Sequence, residues 1–224
     1  CFNYFKDRLA RFYGTVVNLA IANDWMHKNP FAGIRFQEKE VIREVLTKEE
    51  IERMMCKEFA LPRLEYVRDV FIFCVFTGMA YVDVNNLRQE HIVRDNNDDL
   101  WIRKARQKTN NMCNIPLLKI PQLLMEKYKN HPLCTKTGAL LPVPSNQKMN
   151  SYLKEIADFC GIQKNLTTHT ARHTFATVVA LANGVSMENI AKMLGHSDIR
   201  MTQRYAKVMD SSIMRDMELS LIHI

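Results

Sequence analysis

The last quarter of this 224-residue chain holds three short stretches whose side chains suit work on a phosphate ester: His169-Thr170-Ala171-Arg172-His173, Leu194-Gly195-His196-Ser197 and Arg204-Tyr205. Two more stretches of interest lie upstream, Thr77-Gly78-Met79-Ala80-Tyr81-Val82-Asp83 and Arg106-Gln107-Lys108-Thr109. Breaking a phosphodiester without a metal ion requires a nucleophile, donors that neutralise charge on the non-bridging oxygens, and a proton for the departing oxygen. The phenol of Tyr205 can attack phosphorus and store the bond energy as a phosphotyrosine. Arg172 stays charged and can grip a phosphate through its bidentate fork. His169 lies three residues before Arg172 at a helix start, so the two share a face and can reach one phosphate. His169 either takes the phenol proton or hydrogen-bonds the phosphate, and the sequence leaves both open. His196 follows a helix-ending glycine that can swing its imidazole toward the phosphate as a further donor. Lys108 has the reach and mobility to protonate the leaving oxygen. His173, one turn beyond His169, reads as a buried hydrogen-bonding residue that braces the site. No clustered carboxylates are placed to hold two Mg²⁺ ions, which counts against a metal-dependent nuclease, and no metal or cofactor is expected.

In order and spacing, HxxRH, then LGH, then a tyrosine nine residues after the last histidine resemble the signature of the tyrosine site-specific recombinase (phage integrase) family. Thr77 to Asp83 looks like that family's TGLR-x-x-E box, and Arg106 to Thr109 sits where its β-hairpin presents a catalytic lysine. The similarity covers about residues 47 to 210. HxxR alone arises often by chance, whereas four ordered boxes are specific. The resemblance implies site-specific cleavage and rejoining of double-stranded DNA through a 3′-phosphotyrosyl intermediate on Tyr205. It implies that Arg172, His169 and His196 hold the phosphate, that Lys108 is the general acid, and that the reaction serves integration or excision of a mobile element. It further implies a homotetramer on two duplexes, accessory DNA-bending or directionality proteins, and a cytoplasmic bacterial protein that joins the nucleoid when bound to DNA. Two alternatives share the fold: a catalytically weak DNA-binding regulator, and a nicking-closing enzyme like the type IB topoisomerases.

One departure stands out. The family's first box normally ends in an arginine that clamps the phosphate opposite the one in HxxR, and here that position is Ala80. Losing one of two guanidinium clamps costs about 10² to 10³ or more in rate unless another cation fills the space. Arg106 is the candidate replacement, because strand alternation aims it to the same side as Lys108. Arg88 and Arg103 fit less well, Arg103 pointing to the opposite face. Some integrases of conjugative transposons and prophages look similar, lacking the first-box arginine but keeping RxKT, so Ala80 is compatible with an active enzyme. Asp83, in the place of the box's acidic residue, reads as a group that orients its neighbours.

The elements that must position these residues are mainly α-helical, with a small antiparallel three-stranded sheet. Phe5, Leu9, Phe12, Val16 and Ala20 recur at helical spacing within Phe2 to Trp25, a helix that needs a partner. Residues 1–34 are expected to end a helical core-binding DNA domain, with 35–46 a linker and 47–224 the catalytic domain. A piece is expected upstream, because the chain opens on Cys1 inside an amphipathic pattern. Thr47 and Glu50 form a capping-box pattern, flanked by Leu46 and Ile51 as a hydrophobic staple. Val67 to Val75 is apolar enough for a buried helix ending near Thr77-Gly78. His91 to Val93, Leu100 to Arg106 and Met112 to Leu117 read as a β-meander. A helix over Gln122 to Lys129, a loop over Pro132 to Pro144, and helices begun by Ser145, Thr170 and Ser186 follow, with Tyr205 on a last helix. Apolar Ile213, Met214, Met217, Leu219, Leu221 and Ile222 mark a tail that either docks on a neighbouring subunit or packs on its own domain. The 31 Lys and Arg against 24 Asp and Glu, net +7, favour an anionic partner such as nucleic acid. Six scattered cysteines without CxxC spacing read as reduced, mostly buried thiols, and no run of about 18 apolar residues suggests a membrane span.

Overall fold

The apolar run in the middle of the chain forms α3 (Pro62–Thr77), which has Pro62 in its first turn and Gly78 as a left-handed C-cap. Its Val67, Val70, Phe71, Phe73, Cys74 and Val75 are all fully buried. Each such aliphatic or aromatic side chain contributes roughly 1.5–3 kcal/mol on leaving water. The computed structural model describes residues 2–31, with side chains from residue 12, and residues 44–206. The chain divides into two units, Cys1–Val41 and Ile42–Ile224.

In the first unit, α1 (Phe2–Ala22) is the expected amphipathic helix, ending three residues before Trp25. Its Phe12, Val16 and Leu19 are exposed.

In the second unit, α2 (Lys48–Cys56) begins with the expected capping box: Thr47 Oγ1 accepts from Glu50 N, and the Glu50 carboxylate accepts from Thr47 N. Helix α3 packs against α2, α5 (Lys119–Tyr128), α7 (Asn146–Phe159) and α8 (Thr168–Thr174). Its two buried charges are shared out among neighbours. Asp69 accepts from Arg68 Nε at 2.5 Å, Lys127 Nζ at 2.6 Å and Tyr128 Oη at 2.7 Å, which ties α3 to α5. Arg68 Nη1 donates to the carbonyls of Met54, Met55 and Lys57, closing the end of α2.

The sheet runs β1 (Ile92–Arg94), β2 (Leu100–Ala105), β3 (Met112–Pro116), antiparallel and in chain order, as the meander reading required. Ile102 pairs with Ile115 and Lys104 with Cys113, so these four share the face turned toward the helices. The short α4 (Tyr81–Asn85) follows α3 directly, starting at Ala80 as N-cap.

Three local readings change. The Pro132 to Pro144 segment holds a helix, α6 (Pro132–Thr137), with His131 Nδ1 accepting from Leu133 N and Gly138 as a left-handed cap. The expected helix Thr170 to Asn183 starts two residues earlier, behind a Thr167/Thr170 capping box, and widens to a π-helical turn at Phe175–Ala180 before a 3₁₀ turn, Leu181–Asn183. Thr174 and Thr177 donate back to the carbonyls of Thr170 and His173, hydroxyl contacts that loosen and bend a helix. The third concerns the hairpin and bears on the site. Strand β2 ends at Ala105, and Arg106 to Asn111 is the turn, closed by Arg106 N to Asn111 O and Asn110 N to Arg106 O. Lys108 therefore sits exposed at the hairpin tip rather than on a strand face beside Arg106.

Helices α9 (Met187–Leu194) and α10 (Arg200–Ala206) complete the described fold, α9 packing on β3 and α10 on α9. The apolar tail, Val208 and Met209 before it, and the linker residues 35–43 lie outside the described residues. Of the cysteines described, Cys74, Cys113, Cys134 and Cys160 are buried, Cys56 is exposed, and all are free thiols. Among the described residues no helix is long and apolar enough to cross a membrane.

Candidate active site

Two left-handed glycines bring the ends of α3 and α9 together. Gly78 has φ of +67°, and a Cβ there would strike the Phe175 ring and lie 2.7 Å from Leu194 Cδ2. Gly195 has φ of +60°, and a Cβ there would lie 2.7 Å from Cys113 Sγ and 2.8 Å from Arg106 Cδ. Only glycine combines this backbone with this closeness.

Arg172, turned inward by α8, reaches both joined ends and is 6% exposed. Its Nη1 donates to Gly78 O at 2.6 Å and its Nη2 to Leu194 O at 2.5 Å, satisfying carbonyls that a helix end leaves without an intrahelical partner. Nη2 also lies 3.3 Å from His196 Nε2. A guanidinium offers five N–H donors, so these contacts do not exhaust it. Burial, then the neighbouring Arg106 charge, pull the Arg172 pKa below its ordinary value. Two guanidinium groups held this close form a site short of negative charge.

Arg106 is the second cation of that site. Its side chain is 12% exposed and its Nε lies 3.9 Å from Asp83 Oδ2. This Nε–H is buried without a hydrogen-bond partner, an expensive state. Asp83 Oδ1 accepts from the Gln107 amide at 3.0 Å, so one carboxylate steadies both the Arg106 side chain and the start of the hairpin turn. Arg88 is engaged elsewhere, donating to the carbonyls of Asn85 and Leu87, and Arg103 is exposed on the outer face.

His196 is half-buried, its Nδ1 2.8 Å from Thr202 Oγ1. Burial, then the charges of Arg172 and Arg106, push its pKa down to about 4. Its ring is stacked on Tyr205, planes 10° apart and centroids 6.3 Å apart. Tyr205 is 8% exposed and packs in a small cluster with Phe175, Ala176, Ile190 and Leu194. On its other side lies His173, centroid 5.2 Å away. His173 was expected to be buried behind the site; it is half-buried and beside the phenol ring instead, because position 173 is a full turn from His169 and faces α10. His169, in the first turn of α8, is exposed while Arg172 is buried, so the two do not present themselves side by side.

The structure thus gathers Arg172, Arg106, His196, Tyr205, Asp83 and His173, and leaves Lys108 and His169 exposed on its rim. Two further residues escape a reading by motif. Thr202 is fully buried against His196. Lys104, half-buried on the inner face of β2, has its Nζ 3.3 Å from His91 Nε2 and lines a small cavity with Asp83, Cys113 and Arg172. The alternation that selected Arg106 also selects Lys104, two residues earlier.

Comparison with known proteins follows the same lines. The model of the phage integrase family matches residues 44–212. The tyrosine recombinase XerD of Staphylococcus saprophyticus subsp. saprophyticus is 41% identical over 93 residues, 42% of this chain and 30% of that protein. XerD of Staphylococcus aureus is 44% identical over 69 residues, 31% of this chain and 23% of that protein. The chain therefore spans less than a third of the length of these curated relatives. Among solved structures, the Tn1549 transposon integrase in complex with circular intermediate DNA aligns with a TM-score of 0.68 at 16% identity, covering 89% of this chain and 73% of that one. A lambda integrase dimer bound to a core site aligns with a TM-score of 0.65 at 18% identity, covering 86% and 69%. At these identities the structural likeness establishes the mainly helical fold with its small sheet.

Proposed function

Because the chain belongs to the phage integrase family, we propose that it cleaves and rejoins double-stranded DNA at specific sites, with Tyr205 as nucleophile. The phenol oxygen bonds to phosphorus as the bond to the 5′ oxygen breaks, leaving a 3′-phosphotyrosyl link that a second strand's 5′ hydroxyl reverses. Arg172 and Arg106 flank the phosphate, Arg106 replacing the arginine absent at Ala80. His196 adds a hydrogen bond, His169 holds the phosphate or takes the phenol proton, and Lys108 swings in from the hairpin tip to protonate the departing oxygen. Asp83 and His173 hold Arg106 and Tyr205 in place.

The observation that carries this reading is the buried, unpartnered Nε–H of Arg106 in the same cluster as Arg172 and His196. It also weighs against the purely regulatory alternative, since the charge missing at Ala80 is resupplied. The reading extends to a homotetramer that joins two duplexes, helped by DNA-bending or directionality proteins, in integration or excision of a mobile element. Residues 1–34 then belong to an upstream DNA-clamping domain, 35–46 to a linker and 47–224 to the catalytic domain.

The test is a nicked suicide duplex carrying the recombination site, found by selecting bound sequences from a random duplex pool. Wild type should form a covalent protein–DNA complex on a denaturing gel in the presence of EDTA. Absence of the adduct on a tightly bound site favours the regulator, and relaxation of supercoiled plasmid lacking the site favours the topoisomerase-like enzyme.

A further inference from the structure

Thr202 makes the shortest polar contact to His196, and nothing in the mechanism above uses it. It stands three residues before Tyr205 on α10, its side chain fully buried, its Oγ1 2.8 Å from His196 Nδ1. The other ring nitrogen, Nε2, faces Arg172 Nη2 at 3.3 Å. A guanidinium nitrogen only donates, so Nε2 must accept. In the observed arrangement Nδ1 therefore carries the proton and gives it to Thr202 Oγ1. That tautomer has no N–H to offer a phosphate from Nε2, the nitrogen that points toward Arg172.

A threonine hydroxyl both donates and accepts, and this resolves the conflict. We propose that Thr202 is a positioning residue that holds His196 through Nδ1 in either tautomer, accepting from Nδ1–H in the observed arrangement and donating to Nδ1 when Nε2–H engages a phosphate oxygen. The exchange is proton-neutral: Nδ1 releases its proton to water, Nε2 takes one from water, and the hydroxyl hydrogen of Thr202 rotates to face Nδ1. Arg172 Nη2 turns its N–H from Nε2 to the same phosphate. A partner that pairs with Nδ1 in both tautomers leaves Nε2 able to change from acceptor to donor. Because Thr202 rides on the helix of the nucleophile, His196 is set correctly only while that helix is docked. The phosphate-binding histidine and the attacking phenol thus become competent together.

This proposal rests on the strand-cleaving reading, and its test separates the two. Nitrogen-15 NMR of the imidazole rings reports the tautomer directly, without DNA. Wild type should show His196 as the Nδ1–H form; an Nε2–H form in wild type overturns the proposal by itself. Thr202→Val keeps shape and loses the hydroxyl. It should move the Nδ1 resonance, by loss of its hydrogen bond, and slow adduct formation on the suicide duplex about 10- to 100-fold with unchanged DNA affinity, and Thr202→Ser should restore both. A slower Thr202→Val enzyme with the wild-type Nδ1 resonance makes Thr202 a packing residue only and sinks the idea, as does a variant within about twofold of wild type. If Thr202→Val fails to fold, the wild-type tautomer and the Thr202→Ser rate still decide. A wild type that forms no adduct while the tautomers behave as described removes the cleavage reading and leaves the pairing of Thr202 with His196 intact.

Discussion

The rings of His196 and Tyr205 lie nearly parallel, 10° apart in plane with centroids 6.3 Å apart, so the proposed nucleophile lies alongside another residue of the proposed site. On the proposed reading Tyr205 has two jobs, chemistry at its oxygen and packing by its ring. Tyr205→Phe should keep the second and lose the first. Its melting temperature should stay within about 3 °C of wild type, since only a hydroxyl is removed, while no covalent adduct forms on the suicide duplex.

Arg106 should separate binding from cleavage. Arg106→Ala removes a buried guanidinium beside Arg172 and leaves the Asp83 carboxylate facing the Gln107 amide alone. Adduct formation should fall about 10²- to 10³-fold, with affinity for the site measured by gel shift changing far less. Near-normal cleavage would remove Arg106 from the phosphate.

Gly195 is the position where backbone and site geometry are hardest to disentangle. Alanine there meets both a left-handed φ of +60° and the Cys113 and Arg106 side chains at 2.7 and 2.8 Å. Gly195→Ala should lose about 1–3 kcal/mol of stability, read as a fall in melting temperature, and should impair cleavage further by displacing Arg106. A variant of wild-type stability would mean that the joint between α9 and β3 is softer than its contacts imply.

Stability should rise with pH between about 4 and 6.5 through His196. Its folded pKa, pushed down to about 4 by burial, Arg172 and Arg106, lies below the ordinary value near 6.5. In that interval the unfolded chain binds a proton that the folded one refuses. The contribution is complete above 6.5 and is lost as pH falls through 4. His91, also shifted down by burial and by Lys104, adds in the same direction. The measurement is melting temperature from pH 4 to 7 for wild type and His196→Gln: the variant should show the shallower slope, and parallel curves would count against a neutral buried His196.

Local signals in the sequence were enough for the parts whose causes are local. Thr47 with Glu50 and Gly78 after an apolar run each act within a few residues, and each is found as read. What escaped depends on distant partners. Lys108 is lifted off the strand because β2 ends at Ala105, where the hairpin turn is anchored by Asp83, 24 residues upstream of Gln107. Thr202 has no motif of its own; its part is visible only once the His196 ring lies 2.8 Å from its hydroxyl. His173 read as buried and is half-buried, because its spacing from His169 says nothing about where α10 will lie. The six-residue helix at Pro132 was hidden by three prolines and a glycine that read as loop, although a proline at the first turn and a left-handed glycine at the end are also how a short helix is bounded.

Arg172 holds the carbonyls of Gly78 and Leu194, and so it serves as the rivet between two helix ends as well as the charge proposed for chemistry. Variation at this position is therefore doubly punished. In a library of substitutions scored separately for protein abundance and for recombination, Arg172 falls out of both screens, whereas Lys108, exposed at the hairpin tip, drops from the second alone. A lineage that abandons strand exchange can shed Lys108 at once, yet it keeps Arg172 for as long as it keeps the fold, so a surviving arginine here is evidence of architecture before it is evidence of activity.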